Sequence, residues 1–548
     1  MIIFIIHEVF QKTRNFLGNP PCINLRLFYN PHIHEKREES AMTANMICIL
    51  IAIIIYLVGM LAIGVKYANN KTAEDFYLGG RKLGPIVTAM STEASDMSAY
   101  LLMGVPGVAL FCGLAEASWT AIGLSIGTYL NWLIVAKRLR RYSAKTNSIT
   151  VPDFLAARFR DNTKLIEILG ALTIIVFFVP YTASGFAACG KLFNSLFGFD
   201  YMPAMLISAA VIVAYCTLGG FMAASVTSLI QSIVMTFALV VVLFFGIGKA
   251  GGWGAVMDNA RSVPGYLNLF ASTDITSSSA GAYTFIMIVS TMAWGLGYFG
   301  MPHILTHFMA VDDEEKLTLS RRIGSIWCVV SLGVATVIGI VGFAMAKAGV
   351  VGLPGSEPEA ENIIVNTANV ISQSGIFPAL IAGIILAGIL AATMSTADAQ
   401  LLGAASGVTH NLLTDVFGIK LDDKKNMLIA RLTVVGVAIL GAIFAADPSS
   451  SVFRVVSFAW AGFGATFGPI VLFALFWKRC NKYGAIAGMA SGMIMIFVWK
   501  FLVRPLGGAF NIYELLPAFI VSCIFIVVVS LCTAAPEDEI VAEFESIG

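Results

Sequence analysis

The chain has 548 residues, 58% of them apolar and 12% charged, with a formal net charge of +1. A soluble domain carries about 25% charged residues, so half that charge with a mean hydropathy of +0.84 excludes an ordinary soluble enzyme, and near-neutrality argues against a nucleic-acid binder. The nine cysteines show no CxxC or Cys/His spacing, which favours small apolar packing residues over disulfides or a metal centre.

Residues 1–45 stand apart. MIIFIIHEVF is too short to cross a bilayer, and no small-residue cleavage site follows it at signal-peptide spacing. An N-terminal extension is expected here, disordered or a mis-assigned start, with the functional chain beginning at Met42 or Met46. Runs of the ~20 apolar residues that cross a bilayer then recur about thirteen times. They lie at 46–66, 85–112, 115–136, 165–190, 202–219, 224–248, 281–302, 323–347, 377–411, 427–446, 452–477, 483–503 and 512–533. Residues 536–548 form an acidic tail, expected as a short solvated end.

Lys and Arg are unevenly shared among the loops. The loop between the third and fourth spans holds Lys137, Arg138, Arg140, Arg141, Lys145, Arg158, Arg160 and Lys164. Alternate loops on the same side add Arg81, Arg321, Arg322, Lys424, Lys425, Lys478 and Arg479, while the other side is poor in both residues. Basic loops stay in the cytoplasm, so a cytoplasmic C-terminus is expected.

Two spans are interrupted alike. ASDMSAYLLMGVPG in the second and STMAWGLGYFGMPH in the seventh each place a polar or Gly-rich stretch before Gly-x-Pro: Gly104-Val105-Pro106 and Gly300-Met301-Pro302. Gly and Pro are common in membrane helices, and small residues serve helix packing. Paired interruptions in two halves point instead to a transporter built from inverted repeats. The repeats would be five-helix units at about 85–248 and 281–477, and an odd helix count puts them in opposite orientation.

Unwound backbone at mid-membrane is tolerated where it lines a protein-buried or watered cavity. It offers carbonyls to a cation, and half-helix N-termini offer positive potential to a carboxylate. Ser395 and Thr396 are adjacent hydroxyls in the ninth span; they either bond back to a carbonyl one turn earlier or help ligate a small hard cation such as sodium. Asp96 is a membrane carboxylate, a group that faces the bundle interior or water. Tyr100, Tyr181, Trp294, Tyr298 and Phe299 cluster near the breaks and suit a small apolar ring. His303 and His307 have no Glu-x-x-His partner or nucleophile, so they read as loop histidines and not as an enzyme site.

LGGRKLGP, ASDMSAYLLMGVPG, SWTAIGLSIGTYLNWLIVAKRLR, WGLGYFGMPHIL, AATMSTADAQLL and FAWAGFGATFGPIVLFALFW resemble the solute:sodium symporter family from about Met46 to the end of the last span. The resemblance implies an all-α polytopic membrane protein with about 13 transmembrane helices and a five-plus-five inverted-repeat (LeuT-like) core with broken helices. It implies a plasma (inner) membrane transporter working by sodium-driven alternating access, with no cofactor besides the coupling ion. Its partners would be sodium, the lipid bilayer and a small solute, with L-proline favoured. By motif match, sodium would be held by the Ala94, Met97 and Ala392 carbonyls and the Ser395 and Thr396 hydroxyls. Asp96 would support tight sodium coupling and Arg81 would act in gating. The solute would meet Ser98, Tyr100, Tyr181, Trp294, Gly297, Tyr298 and Pro302.

Three positions depart from the proline-transporting members. Tyr100 replaces a tryptophan, Met301 a glutamine, and Ser228 an aspartate. The first two keep open another amino acid, an osmolyte or a carboxylate as solute, and Ser228 leaves the ion route and stoichiometry open. A transporter-like sensor would need an output domain, and only about a dozen residues follow Pro536.

Overall fold

The computed structural model describes residues 44–67, 72–277, 279–419 and 422–547. The expected extension lies outside these residues except for Ala44 and Asn45, which open the first helix.

Among the described residues eleven helices are long and apolar enough to cross a membrane, and a bent pair makes twelve. In chain order, α1 is Ala44–Lys66; α2, Pro85–Ala99, and α3, Val105–Cys112, form one interrupted span; α4 is Leu114–Leu130. On one face of the bundle α5, Ala136–Lys145, and α6, Val151–Arg158, carry the basic loop. Then come α7, Leu165–Phe197, and α8, Tyr201–Lys249. The hairpin β1, Ala271–Asp274, with β2, Ser279–Ala282, pairs antiparallel. The second interrupted span starts as α9, Phe285–Met292, tightens over Ala293–Gly300, and resumes as α10, Pro302–Met309, with a bend of 45° at the break. The chain continues with α11, Leu317–Lys347; α12, Glu357–Ala360; α13, Ile376–Ser406; α14, Asp423–Phe444; α15, Val452–Phe476; α16, Lys482–Val498; α17, Leu515–Cys532; and α18, Asp538–Glu545.

The remaining expected span, 202–219, is the first part of α8. Helical geometry is interrupted at Gly220, whose φ of 66° and ψ of −174° only glycine adopts without strain. The apolar run before it, Tyr201–Ala214, is shorter than a full crossing.

Burial sorts core from rim. In the most apolar stretch of the α2–α3 span 89% of residues are buried, against 22% in that of α1, which presents Ile54, Ile55, Val58 and Val65 outward. A helix apolar all round with one buried edge faces lipid. The first interrupted span and the tightened stretch Ala293–Gly300 of the second are buried, where irregular backbone is tolerated, while α9 leading into the second keeps Phe285 and Ile286 exposed.

The acidic tail is not a solvated end. It folds as α18 against the basic loops. The Phe544 ring lies 5.0 Å from both the Arg138 and Arg158 guanidinium groups, Glu539 pairs with Arg160 at 2.5 Å and Glu545 with Lys478 at 3.0 Å. Cation–π contact and charge pairing offset the ordering of these residues.

Candidate functional site

The first interruption falls at Ser98, with φ 48° and ψ −169°. Such a backbone costs about 1–3 kcal/mol in a non-glycine residue and persists where its surroundings over-determine it. The Ser98 hydroxyl accepts the Tyr100 N–H at 3.1 Å. Residues Tyr100–Gly104 then run as a π-turn, with Pro106 in the first turn of α3. Proline has no N–H to return to the residue four before it, so the ladder slips register there. The second interruption is tighter backbone over Ala293–Gly300, ending at the extended Met301, with Pro302 opening α10. Both breaks fall within the stretches read as interrupted from sequence.

Facing the first break, α13 brings the hydroxyl pair. Ser395 Oγ donates to the Ala94 carbonyl at 2.8 Å and to the Ala392 carbonyl at 3.1 Å, and Thr396 Oγ1 donates to the same Ala392 carbonyl at 3.1 Å. Four of the five expected cation ligands thus meet across the α2–α13 contact. The fifth, the Met97 carbonyl, accepts the Tyr100 N–H beside the break. All these residues are buried.

Asp96 is 5% exposed, and it ties the two interruptions together. Its Oδ2 accepts from the Tyr298 hydroxyl at 2.5 Å, and its backbone carbonyl accepts from the Tyr181 hydroxyl at 3.1 Å. It stands beside the gathered oxygens as a hydrogen-bonding brace. One turn earlier, Glu93 is a second fully buried carboxyl group, accepting from Thr128 Oγ1 at 3.1 Å and Trp132 Nε1 at 3.0 Å. Sequence reasoning passed over it.

The expected aromatics converge and recruit others. Tyr100 stacks on Trp294 at 5.3 Å, and Phe453 lies 5.3 Å from each. Tyr513 also stacks on Trp294, at 5.4 Å. Tyr298 meets Trp460 edge-on at 5.1 Å, while Trp460 Nε1 donates to the Trp294 carbonyl at 2.7 Å. Gly297 allows that approach: a Cβ there would lie 1.8 Å from Trp460 Nε1. Phe453, Trp460 and Tyr513 were missed from sequence because aromatics in α15 and at the last span read as packing. The Tyr100 hydroxyl is buried without a hydrogen-bond partner among the described residues, and Met301 is fully buried beside Pro302.

In α8, Ser228 is 2% exposed, and Gln231 Nε2 donates to the Tyr56 hydroxyl at 3.2 Å. Asp398, 3% exposed, accepts from Cys216 of α8 at 2.6 Å. The α8–α13 contact therefore carries an acid on the α13 side.

Hydrogen bonds and ion pairs join segments at both ends of this interior. On the basic face Arg81 donates to the carbonyls of Met309 at 2.8 Å, Ser143 at 3.2 Å and Ser148 at 2.7 Å. It thereby joins the loop before α2, the α5–α6 loop and the end of α10. On the opposite face Lys191 meets Glu361 at 2.7 Å. Glu361 also accepts the N–H groups of Val452 and Phe453, each at 3.1 Å. Arg454 spans Glu116 at 2.6 Å and Glu357 at 3.0 Å.

His303 and His307 are not loop residues. They are 4% and 2% exposed, because α10 begins at the break itself and its first turn lies inside the bundle.

A family model described as the sodium:solute symporter family matches residues 76–492. The osmoregulated proline transporter OpuE of Bacillus subtilis is 40% identical over 492 residues, 89% of this chain and 95% of that protein. The sodium/proline symporter of Haemophilus influenzae is 41% identical over 507 residues, 90% and 97% of the two chains. A solved sodium-coupled sialic acid symporter, substrate-bound and outward-open, superposes with a TM-score of 0.73 at 15% identity, over 89% of this chain and 99% of that one. A nucleobase-cation-symport-1 family transporter with bromovinylhydantoin bound gives 0.52 at 14% identity, over 87% and 100%. At these identities the likeness shows the fold, an inverted-repeat core with broken helices.

Proposed function

The chain belongs to the sodium:solute symporter family, and on that premise we propose that it imports L-proline together with sodium by alternating access. The observation that carries this reading is the meeting of the Ser395 and Thr396 hydroxyls with the Ala94 and Ala392 carbonyls where α2 is interrupted. Oxygens about 2.4 Å from a calcium-sized cation, which sodium is, stand about 3.4 Å apart in an octahedral shell. The observed 2.8–3.1 Å pairs reach that edge by opening a few tenths of an ångström. Neutral oxygens suffice for a monovalent ion, and Asp96 adds its field and a hydrogen bond to Tyr298.

In this reading the repeats run at about 85–248 and 281–477, the basic face is cytoplasmic, and so is the C-terminus. Arg81 closes the cytoplasmic side, and the Lys191–Glu361 pair with Phe453 closes the other. The solute lies among Ser98, Tyr100, Tyr181, Trp294, Tyr298 and Pro302, with Gly297 admitting Trp460 behind it. Each sodium crossing down a 100 mV potential contributes about 2.3 kcal/mol. That energy reaches the solute only if ion and solute bias the same conformational equilibrium.

Thermal stabilisation of the purified protein by proline, with and without sodium, tests the reading, since a ligand of the folded state raises stability by mass action. Stabilisation by proline that deepens with sodium supports it; stabilisation that ignores sodium contradicts it. A second solute is kept in view by Tyr100 and Met301. Tyr100→Phe is expected to weaken proline binding by about ten-fold, as for loss of a hydrogen bond to a charged group. Unchanged affinity in Tyr100→Phe, with another solute displacing proline from the wild-type protein, would move the assignment to that solute.

A further inference from the structure

Below the second interruption lies a cavity of about 30 Å³, room for about two water molecules. Tyr77, Thr150, Pro302, His303, Thr306 and Ser406 are among the residues lining it. It leads from Pro302, at the expected solute site, toward Thr150, the residue that caps α6 in the basic loop.

The polar groups of this cavity are committed, with one exception. The Tyr77 hydroxyl is bonded to Thr409 Oγ1. Thr150 Oγ1 is bonded to Asn411 and accepts the Asp153 N–H. Thr306 donates to the Pro302 carbonyl and Ser406 to the Gly403 carbonyl, each at 2.8 Å. His303 alone keeps both ring nitrogens buried and without a hydrogen-bond partner among the described residues. A neutral imidazole has one donor and one acceptor. Leaving both unmade in a protein interior is as costly as losing the bonds, and an ionisable side chain within a membrane span marks a functional position by default.

We infer that His303 is a release-side binding residue for the transported solute, its ring N–H donating to the carboxylate of a small amino or imino acid as that solute passes from Pro302 toward the basic face. The inference rests on the functional reading above. A carboxylate leaving the broken-helix site loses its donors there, and the only uncommitted donor among the lining residues named is His303. The cavity as it stands admits water, so the solute enters it when the Arg81 side opens. His303 then shortens the stretch over which the solute's charge lacks a partner. The effect belongs to turnover and leaves binding at the main site in place.

The test uses full-length protein in proteoliposomes, with radiolabelled proline and an inward sodium gradient. His303→Ala is expected to keep proline affinity within about two-fold and to slow turnover about ten-fold, the loss of one hydrogen bond to a charged group. His303→Asn keeps an N–H donor and should recover most of that loss. Ser406→Leu puts a larger side chain into the lining of the cavity and should slow turnover likewise with affinity kept. Wild-type turnover in His303→Ala places only water at His303 and overturns the inference, as does a His303→Asn variant no faster than His303→Ala. If His303→Ala does not fold, wild-type turnover in Ser406→Leu overturns it. Wild-type protein that shows no sodium-driven proline uptake contradicts the functional reading, and the inference falls with it; wild-type uptake with an unaffected His303→Ala contradicts the inference alone.

Discussion

Replacing Ser395 and Thr396 together by alanine is expected to abolish sodium-dependent proline uptake and sodium-dependent thermal stabilisation. The two hydroxyls contribute two of five proposed ligand oxygens, and the other three are backbone carbonyls that survive substitution. A hydrogen-bond-like contact to a charge is worth about 1.5–3 kcal/mol, so losing two weakens sodium binding by at least about 100-fold. The fold should survive, because the two hydroxyls make only three hydrogen bonds, to the Ala94 and Ala392 carbonyls, and alanine is the best helix former. The double variant should therefore unfold near the wild-type temperature without sodium and fail to gain from sodium. Sodium stabilisation that persists in it would show the ion to be held elsewhere, and the acid-bearing α8–α13 contact around Asp398 would be the next place to look.

Glu361→Ala is expected to be the most destabilising single substitution on the face opposite the basic loops. Lys191 is 6% exposed and Glu361 fully buried, so removing the acid strands a buried ammonium, which costs about 3–5 kcal/mol. It also strands the Val452 and Phe453 N–H groups at the start of α15, where a carboxylate caps both the free donors and the positive helix end. Phe453 packs on Tyr100 and Trp294, so the damage reaches the proposed solute site. Glu361→Gln combined with Lys191→Met removes both charges but keeps an acceptor for the backbone donors, and it should recover most of the loss. The measurement is the melting temperature of the purified protein, followed by proline affinity. A Glu361→Ala variant that melts with the wild type would mean that the pair does not hold α15.

Much of the framework was legible in the sequence. The length of the apolar runs placed the spans, because a bilayer sets a minimum length for a helix. The stretch around Ser98 and the glycine-rich stretch from Gly295 to Pro302 were legible as breaks, because glycine, proline and clustered polar residues weaken a helix from within. The Ser395–Thr396 pair stood out because adjacent hydroxyls are unusual in so apolar a helix. What escaped was set by contacts between distant segments. Phe453, Trp460 and Tyr513 are ordinary aromatics until folding brings α15 and the last span against Trp294. Nothing in the sequence around Lys191 points to Glu361, 170 residues later. His303 was misread because it falls just past the expected end of the seventh span at 302, whereas the break restarts a helix deep inside. The tail seemed solvated because its charges were counted without Phe544, whose ring lies on two arginines.

The central claim is that sodium and proline cross together through this bundle. Its most direct test is the uptake of radiolabelled proline into proteoliposomes under an inward sodium gradient, set against an equal choline gradient. The account predicts proline accumulation above equilibrium with sodium and none with choline, and equal uptake under the two gradients would contradict it.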